Sequence, residues 1–384
     1  MRIAYFTESL PPLTDGVART YTWLAQALNG AGVDFRFVAP VCPLEQEPWR
    51  GRVLRQASVA FPLYSYYRVG LPNPARVFRD LDAFRPDLVQ VAAPTPLGWL
   101  GIHYARRRGL PVVSSYHTHF VDYFPYYRLG FLSRPAWALL RRFHNATDRT
   151  FAPSASALAR LGGHGFENLR LWERGLDAER FSPELRSGEE RARWAGAGEK
   201  LVLYAGRLVA DKDLRVLAGA LELAREGGAK LRCVFAGDGP LRQELERRLP
   251  LDHFPGFVRG QALSRLYASA DLFVFPSPNE TFGNVVLEAM ASGLPVLAVA
   301  AGGPADLVEH GRSGWLCPPG DPAAFGGALE RLCNDLGLRR SLAAAGLVRA
   351  GGFHWRAVHG RLLDSYQQLL DSRGARGALE ALRA

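Results

Sequence analysis

The sequence of 384 residues has few cysteines, few lysines and no long apolar run. Its four cysteines are scattered and form no Cys-x-x-Cys pair, which argues against a disulfide framework or a zinc ribbon and fits a reducing compartment. No apolar stretch approaches the ~20 residues of a membrane-spanning helix. The first residues are typical of a strand rather than of a secretory signal. We therefore expect a cytoplasmic location.

The remaining composition is that of an ordinary globular chain. Apolar residues make up 48% and charged residues 22% of the sequence, which excludes the disordered and fibrous classes. At ~150 residues per domain, the length favours two domains.

Basic residues are concentrated in one part of the first half. The formal net charge is +10, and residues 51–150 hold 14 arginines against 5 acidic residues. Such a surplus suits an anionic partner, which would be phosphates, an anionic membrane surface or nucleic acid. The alternative is a compositional bias toward arginine, because lysine occurs only three times in the chain.

Short apolar runs alternate along the chain with stretches of helical periodicity, in which apolar residues recur three and four positions apart. This alternation predicts an α/β fold with parallel sheets covered on both faces. Because the order restarts near residue 200, we expect two doubly wound domains joined by a linker at 182–198, with ligands bound in a cleft at the carboxyl ends of their strands. Strands are predicted at 2–6, 34–38, 88–91, 112–116, 201–204, 232–236, 272–275 and 296–299, and helices at 17–28, 214–224, 241–249 and 282–291.

Two glutamates lie around the start of the last of these predicted helices. Glu280 is in the turn before it, and Glu288 is in its second turn. The free N–H groups at Gly283, Asn284 and Val285 favour an anion such as a diphosphate. Since carboxylates repel phosphate, the glutamates are better placed to accept hydrogen bonds from sugar or ribose hydroxyls. In the alternative, structural interpretation, Glu280 caps the helix and Glu288 forms an ion pair.

Two further turns present groups that suit anions. After the strand at 201–204, a loop carries Arg207 and Lys212, which offer a planar fork and a compact point charge to phosphate oxygens. After the first strand, Gly16 opens a helix and would let the backbone approach a ligand closely. Alternatively, both are ordinary solvated loops. No Gly-x-Gly-x-x-Gly motif follows the first strand and no Walker loop occurs, which disfavours dinucleotide-dependent redox enzymes and P-loop proteins.

A pair of histidines, His117 and His119, follows Tyr116 at the end of the fourth predicted strand. In extended geometry the two rings would point the same way. Two histidines fall short of a zinc site, so His117 is expected either to hydrogen-bond a substrate or to be structural. The Asp-x-Asp patterns at 80–82 and 211–213 do not resemble a divalent-metal clamp either. We expect catalysis without a metal ion and without a resident cofactor.

The segment 120–143 is rich in aromatic residues interleaved with arginines, and 64–79 is similar. Such segments suit a membrane-interface surface or a groove for a lipid or sugar acceptor. The alternative is aromatic core packing under a helix. No recognisable nucleic-acid-binding module occurs, so we expect no nucleic-acid partner. The arginines predicted to contact membrane or acceptor are Arg68, Arg76, Arg79, Arg141 and Arg142.

Taken together, these patterns resemble glycosyltransferase family 4, whose GT-B fold consists of two facing Rossmann-like domains with an interdomain cleft. The similarity spans nearly the whole chain. It implies an acceptor-binding domain at 1–180, a donor-binding domain at 181–354 and a last helix within 355–384 that crosses back to the first domain. Besides the residues above, the motifs that carry it are Thr7-Glu-Ser-Leu-Pro-Pro, Gly175-Leu-Asp-Ala-Glu-Arg-Phe-Ser-Pro, Gly237-Asp-Gly-Pro, Ala301-Gly-Gly-Pro-Ala-Asp-Leu-Val and Trp315-Leu-Cys-Pro-Pro-Gly-Asp.

The resemblance also implies roles for individual residues. As catalytic groups, Arg207 and Lys212 would hold the donor diphosphate, Glu280 would bind the hexose hydroxyls, and His117 would lie beside the transferred sugar. Glu288 would bind the ribose. The other implied donor contacts are Gly16, Val258, Arg259, Phe282, Gly283, Asn284 and Val285, and the implied acceptor contacts include Tyr116 and His119. Asp15 departs from the pattern, because many family members carry glycine there.

The motifs are most similar to those of lipid-directed bacterial mannosyl- and glucosyltransferases. The resemblance implies a retaining transfer of hexose from GDP-mannose or UDP-glucose, with GDP-mannose favoured, to a lipid or glycolipid acceptor. The protein would bind an anionic membrane peripherally. Two other hypotheses stay open: the same chemistry on a soluble acceptor, and a non-catalytic nucleotide-sugar binding protein.

Overall fold

The computed structural model describes residues 1–13, 15–41, 43, 45–61, 64–124 and 129–381, with the backbone alone at 61, 64–67, 123 and 374–381. These residues form two compact units. The first contains Met1–Val121, Gly130–Gly175 and the chain from Trp355 onward, and the second is built mainly from Leu176–His354.

A parallel sheet of seven strands forms the centre of the first unit. Alternate residues of its first strand enter two different apolar clusters: Ile3 and Tyr5 belong to one, and Ala4 and Phe6 to the other. The sheet is therefore buried on both faces at this strand, as the apolar run 3–6 predicts. The strands of this unit are β1 (Arg2–Phe6), β2 (Asp34–Ala39), β3 (Val53–Arg55), β4 (Ala57–Phe61), β5 (Tyr64–Leu71), β6 (Leu88–Val91), β7 (Val112–Ser115), β8 (Arg149–Ala152) and β9 (Leu169–Leu171), and its helices include α1 (Gly16–Gly30), α2 (Pro74–Phe84), α3 (Pro96–Arg107), α4 (Ser133–His144) and α5 (Ala155–Gly163).

The strand order of this sheet is β3-β2-β1-β6-β7-β8-β9, and β4 and β5 pair separately as an antiparallel hairpin. The chain builds outward from β1 on one side and then from β6 on the other. This reversal leaves a gap between the connections at the carboxyl ends of β1 and β6, which is where ligands bind in doubly wound sheets.

The second unit contains a six-stranded parallel sheet in the order β12-β11-β10-β13-β14-β15. Here the reversal falls between β10 and β13, whose residues Val202 and Leu272 are paired. Its elements are α6 (Gly188–Trp194), β10 (Lys200–Ala205), α7 (Leu214–Glu226), β11 (Leu231–Ala236), α8 (Arg242–Arg248), β12 (His253–Gly256), α9 (Gly260–Ser269), β13 (Leu272–Phe275), α10 (Asn284–Ala291), β14 (Val296–Val299), α11 (Gly302–Leu307), β15 (Trp315–Cys317), α12 (Pro322–Asn334) and α13 (Leu336–Gly351).

The last helix, α14 (Trp355–Ala381), packs in the core of the first unit. Val358, Leu362 and Tyr366 are buried there. The hydroxyl of Tyr366 donates a hydrogen bond to the side-chain oxygen of Gln90 on β6. The C-terminal segment is thus an integral part of the unit that begins with the N-terminus.

The prediction of a doubly wound α/β fold with two parallel sheets is confirmed. All eight predicted strands occur, each within one residue at either end. The predicted linker at 182–198 is wrong, because this segment contains α6 and is fixed to the second unit. Arg186 and Arg191 both donate hydrogen bonds to the carboxylate of Asp271.

Candidate functional site

In the second unit, the two strands at the reversal of the sheet are followed by the loops that carry the predicted cationic and acidic residues. β10 leads through Gly206 to Arg207, which is exposed. The hydroxyl of Tyr204, fully buried at the end of β10, donates a 3.0 Å hydrogen bond to the carbonyl oxygen of Arg207 and so holds this loop. Burial, together with the nearby carboxylates of Glu280 and Asp211, raises the pKa of Tyr204 well above its usual value, so this donor keeps its proton.

Glycine allows the neighbouring loop to pack closely against the Arg207 loop. A Cβ atom at position 237, at the end of β11, would lie 1.8 Å from the carbonyl oxygen of Gly206. No side chain fits at that distance. The sequence motif that begins at Gly237 therefore serves to bring two loops together at this edge of the sheet.

Lys212 and Glu280 are in direct contact. Lys212 is only 7% exposed, and its Nζ lies 2.7 Å from Oε1 of Glu280 and 3.1 Å from Oδ2 of Asp211. A buried ammonium of this kind needs compensating charge, and the two carboxylates supply it. The predicted phosphate-binding cation and the predicted sugar-binding carboxylate therefore share one place, where an anion and a hydroxyl group can be bound side by side.

The start of α11 contacts the backbone of the loop that carries Glu280. The N–H of Gly303 donates a 2.8 Å hydrogen bond to the carbonyl oxygen of Glu280. A Cβ atom at Gly302, whose φ is +59°, would lie 2.8 Å from the same oxygen. The carboxylate of Glu280 is thus presented from a backbone that other groups hold in position.

Helix α10 begins without a side-chain cap. Its N-cap residue, Gly283, is in the left-handed region with φ 94°, a conformation that favours glycine. The N–H groups at Asn284 and Val285 therefore have no side-chain cap at the start of α10, and their binding of an anion stays a prediction. Phe282, just before them, is buried and lies with its ring 6.0 Å from that of Phe353.

Glu288 is buried on α10, and the hydroxyl of Tyr267 on α9 donates a 3.2 Å hydrogen bond to its Oε2. Val258 and Arg259 lie in the loop between β12 and α9. Val258 packs against the core of the unit, whereas Arg259 is exposed and covers the ring of Phe257 at 5.6 Å.

In the first unit, α1 begins at Gly16 and is capped by the side chain of Asp15. Oδ1 of Asp15 accepts hydrogen bonds from the N–H groups of Val17 and Ala18, each at 2.8 Å. These amides are therefore already bound to a carboxylate, and an approaching diphosphate would meet its negative charge. Binding of a diphosphate at Gly16 stays a prediction, and the carboxylate of Asp15 would disfavour it.

His117 lies after β7 in a polar cluster of the same unit. Its Nδ1 is 2.9 Å from Nη2 of Arg174, and its Nε2 is 3.3 Å from the hydroxyl of Tyr21. Burial, followed by the charge of Arg174, holds the pKa of His117 well below its usual value. Sequence reasoning did not single out Arg174, because the two residues are 57 positions apart.

Tyr116 and His119 are both buried, and the Tyr116 hydroxyl is 3.0 Å from Nδ1 of His119. β7 ends at Ser115, before both histidines, and the two rings contact different partners. The side chain of Tyr116 also packs against Phe166 and His144, in the interior of the unit. These contacts explain why both residues are fixed in the structure.

A buried carboxyl group, Glu8, was missed by sequence reasoning. Glu8 follows β1 and is only 2% exposed. Its Oε1 has no hydrogen-bond partner among the described residues. Burial raises the pKa of Glu8 to about 7. No local pattern in the sequence distinguishes such a residue from a solvated glutamate.

The raised pKa of Glu8 predicts how stability depends on pH. The folded state binds this proton more tightly than the unfolded chain, whose pKa is near 4.5, so stability falls as pH rises from about 4.5 through about 7. The full effect is about 3 kcal/mol, at 1.36 kcal/mol per pKa unit. We expect Glu8→Gln to raise the melting temperature at about pH 8 and to change it little at about pH 5. Equal shifts at both pH values would contradict the assignment.

The arginines predicted to face membrane or acceptor have different surroundings. Arg68 donates hydrogen bonds to the hydroxyl and carbonyl oxygens of Ser58. Arg76 and Arg79 lie within 4 Å of the carboxylate of Asp80. Of the aromatic side chains at 64–79, those of 64–67 lie outside the described residues, and so do residues 125–128 of the second segment.

Helix α4 exposes both apolar and basic side chains. Arg141 and Arg142 are exposed, and no ion pair is found for either within the described ranges. Leu139 is 49% exposed, and Phe131, just before the helix, is 76% exposed. Phe143 is fully buried instead, so part of the aromatic segment does pack in the core. The outer face of α4 is therefore an amphipathic surface.

Within the part of the chain that the structure describes, no group of three or more His, Cys, Asp or Glu side chains is arranged to hold a metal ion. Among the same residues, no helix has the length and hydropathy required to cross a membrane.

Comparison with known proteins gives matches to two family models. Residues 14–180 match the model described as "Glycosyltransferase Family 4", and residues 199–335 match the model described as "Glycosyl transferases group 1". Together the two models cover most of both units.

Similar proteins and structures agree with these models. The chain is 36% identical over 384 residues to a "GDP-mannose-dependent alpha-mannosyltransferase" of Mycolicibacterium smegmatis, covering 98% of this chain and 100% of the relative. It is 28% identical to an "Alpha-monoglucosyldiacylglycerol synthase" of Streptococcus pneumoniae, covering 78% of this chain and 71% of the relative. A solved sucrose-phosphate synthase from Thermosynechococcus elongatus has a similar fold, with a TM-score of 0.78 at 24% identity, covering 97% of this chain and 99% of that one.

Proposed function

Because the chain belongs to glycosyltransferase family 4, we propose that it transfers a hexose, with retention of configuration, from a nucleotide diphosphate sugar to a hydroxyl group of a lipid or glycolipid. The observation that carries this proposal is the 2.7 Å contact between Lys212 and Glu280 at the reversal of the second sheet. This contact supports a site in which Lys212 binds a diphosphate and Glu280 binds a sugar.

In the proposed donor complex, Lys212 and Arg207 bind the diphosphate oxygens, and the N–H groups at the start of α10 bind the same anion. Lys212 is compensated by Asp211 and Glu280 in the structure described. When the diphosphate binds, it provides negative charge for the ammonium, and Glu280 is then able to accept hydrogen bonds from hexose hydroxyls. Glu288 accepts those of the ribose, and the loop at Val258 and Arg259 contacts the base.

The proposed reaction breaks the bond between the anomeric carbon and the diphosphate oxygen. The acceptor oxygen attacks the same face, and its proton passes to a leaving phosphate oxygen, so charge and atoms balance without a separate base. Lys212 and Arg207 stabilise the negative charge that develops on the diphosphate. Since these side chains supply the positive charge at this position, we propose that no metal ion is required.

The names of the relatives favour a donor and an acceptor class. The relative with full-length coverage is named for GDP-mannose, which makes GDP-mannose our first candidate and UDP-glucose our second. The diacylglycerol in the name of the other relative supports a lipid acceptor. The amphipathic outer face of α4 is a suitable surface for peripheral contact with an anionic membrane.

The membrane contact predicts a loss of vesicle binding for Arg141→Gln/Arg142→Gln. Each arginine near an anionic surface contributes about 1 kcal/mol, so the double variant should bind phosphatidylglycerol-containing vesicles about 30-fold more weakly in a co-sedimentation assay. The matched control is Arg265→Gln/Arg340→Gln, which removes the same charge from exposed positions of the second unit. Equal losses in both double variants would mean that only net charge matters.

The proposed function is tested by product formation. The purified chain is incubated with labelled GDP-mannose or UDP-glucose, with EDTA, and with either a membrane lipid extract or a panel of soluble sugars. We expect label in the lipid fraction, from GDP-mannose above UDP-glucose, and an α-linkage in the product of an α-linked donor. Label found only in soluble products would show that the acceptor is a soluble molecule and not a lipid. Nucleotide-sugar binding without transfer to any acceptor would contradict the proposal, and activity that requires added manganese would contradict the metal-independent mechanism.

A further inference from the structure

Arg174 and His117 meet in the first unit through a contact whose direction is set by their chemistry. Nη2 of Arg174 lies 2.9 Å from Nδ1 of His117. A guanidinium group has five N–H donors and no acceptor, so Nδ1 of His117 must accept this hydrogen bond. The ring can accept there only when its proton is on the other nitrogen, Nε2.

We propose that Arg174 is a positioning residue that holds His117 in its neutral, Nε2-protonated tautomer. His117 then meets a ligand as a hydrogen-bond donor and not as a base. The tautomer itself follows from the contact, whereas its use on a substrate rests on the proposed function.

The surroundings keep Arg174 charged and His117 uncharged. Arg174 is only 7% exposed, and burial lowers its pKa to about 10, which leaves it protonated at neutral pH. Its guanidinium also lies 5.2 Å from the ring centre of Trp172, and its Nη1 donates to the carbonyl oxygen of that residue. These contacts fix the group that faces Nδ1. A second positive charge on the imidazole ring beside this guanidinium is therefore unfavourable.

The other titratable groups around the pair do not reverse this conclusion. Burial lowers the pKa values of His144 on α4 and of His359 on α14 to about 3, so both are neutral. Burial raises the pKa of Tyr21 on α1, which therefore stays protonated. Glu8, after β1, interacts with Tyr21, and burial raises the pKa of Glu8 to about 7.

In this tautomer Nε2 of His117 carries the proton and lies 3.3 Å from the Tyr21 hydroxyl. An N–H group at Nε2 can donate a hydrogen bond to an oxygen atom of a ligand. A hexose hydroxyl is such an acceptor. The absence of a basic nitrogen at this point agrees with a reaction in which the acceptor proton passes to the leaving phosphate.

The tautomer is tested by ¹⁵N-detected long-range NMR on the full chain labelled at histidine, with Arg174→Met and Arg174→Lys as variants. His117→Asn identifies the resonances of interest by their loss. In the wild type we expect the Nε2–H neutral ring at about pH 7 and still at about pH 5.5, although an ordinary histidine with a pKa of about 6.5 would be charged there. A proton on Nδ1, or an imidazolium at about pH 7, would overturn the proposal. This measurement uses the wild-type protein, so it does not depend on whether a variant folds.

The variants separate positioning from packing. Lysine is also a donor-only cation, so Arg174→Lys should keep the tautomer, whereas Arg174→Met should give a mixture of the two neutral tautomers. Because burial is the main cause of the lowered pKa of His117, the ring should stay neutral in both variants. The His144 resonances serve as an internal control for folding. An unchanged tautomer in Arg174→Met would overturn the proposal.

Activity provides a second readout. Arg174→Met should lower kcat about tenfold, because part of the His117 population lacks its Nε2–H donor. Arg174→Lys still donates to Nδ1 and should retain most of the activity. An equal deficit in both variants would show that Arg174 is only structural. If no donor gives product, the proposed function is contradicted. The NMR measurement still determines which tautomer of His117 is present.

Discussion

Replacing Lys212 by alanine is expected to lower kcat/KM for hexose transfer by about 10³-fold, the upper range for loss of one preorganised electrostatic contact to a transition state. Lys212 is buried, and its ammonium group is the charge that the structure places between Asp211 and Glu280. Without it, the negative charge that develops on the leaving diphosphate has lost its nearest buried cation. The measurement is initial-rate kinetics with the donor that proves active.

The chain provides a matched control, because only two other lysines occur in it. Lys230 is exposed in the same unit, and Lys230→Ala should leave kcat/KM within about twofold of the wild type. Since Lys212→Ala leaves two carboxylates near each other, Lys212→Met, which keeps the apolar stem, is measured in parallel. Circular dichroism verifies that each variant is folded. Retention of wild-type activity in both Lys212 variants would refute the assignment of Lys212 to the diphosphate.

Glu280→Gln should lower kcat/KM by about 10²-fold. The amide keeps the volume of the side chain, and the carbonyl oxygen of residue 280 still accepts the hydrogen bond from Gly303. The loop is therefore preserved, while the charge that orients Lys212 and accepts from hexose hydroxyls is lost. Because part of this interaction forms only with the sugar, we expect the binding of the nucleoside diphosphate without a sugar to change much less than kcat/KM.

The control for Glu280→Gln is Glu244→Gln. Glu244 also forms an ion pair in the second unit, at 2.6 Å to Arg215, but the pair is exposed. Exposed pairs contribute little to stability, so this variant should behave as the wild type in both measurements. A similar loss in the two variants would indicate a general effect of charge rather than a role at the sugar.

The sequence predicted the parts of the fold that have strong local patterns. The central strands β1, β6, β13 and β14 are short, mostly apolar runs, and each was predicted with its bounds as found. Edge strands such as β9 and β15 were missed because each has only three residues, most of them not buried. The error at 182–198 has a different cause: its charged residues suggested a solvated linker, whereas tertiary contacts to Asp271 fix it.

For the site, the sequence placed charged residues at strand ends but did not determine what they contact. The resemblance to the family assigned Lys212 and Glu280 to the same donor, and only the structure shows their 2.7 Å contact. The contact between His117 and Arg174 joins distant segments, and the burial of Glu8 follows from tertiary packing. The capping of α1 by Asp15 was not predicted, although aspartate directly before a helix is a common N-cap.

The most direct test of the proposed donor site is calorimetric titration with GDP and, separately, with guanosine. In Arg207→Gln/Lys212→Met, two charge-assisted contacts to the diphosphate are removed, so GDP affinity should fall by about 10²-fold or more. Guanosine, which has no phosphate, should bind this variant about as weakly as it binds the wild type. A double variant that binds GDP with undiminished affinity would contradict the claim that these two side chains hold the donor.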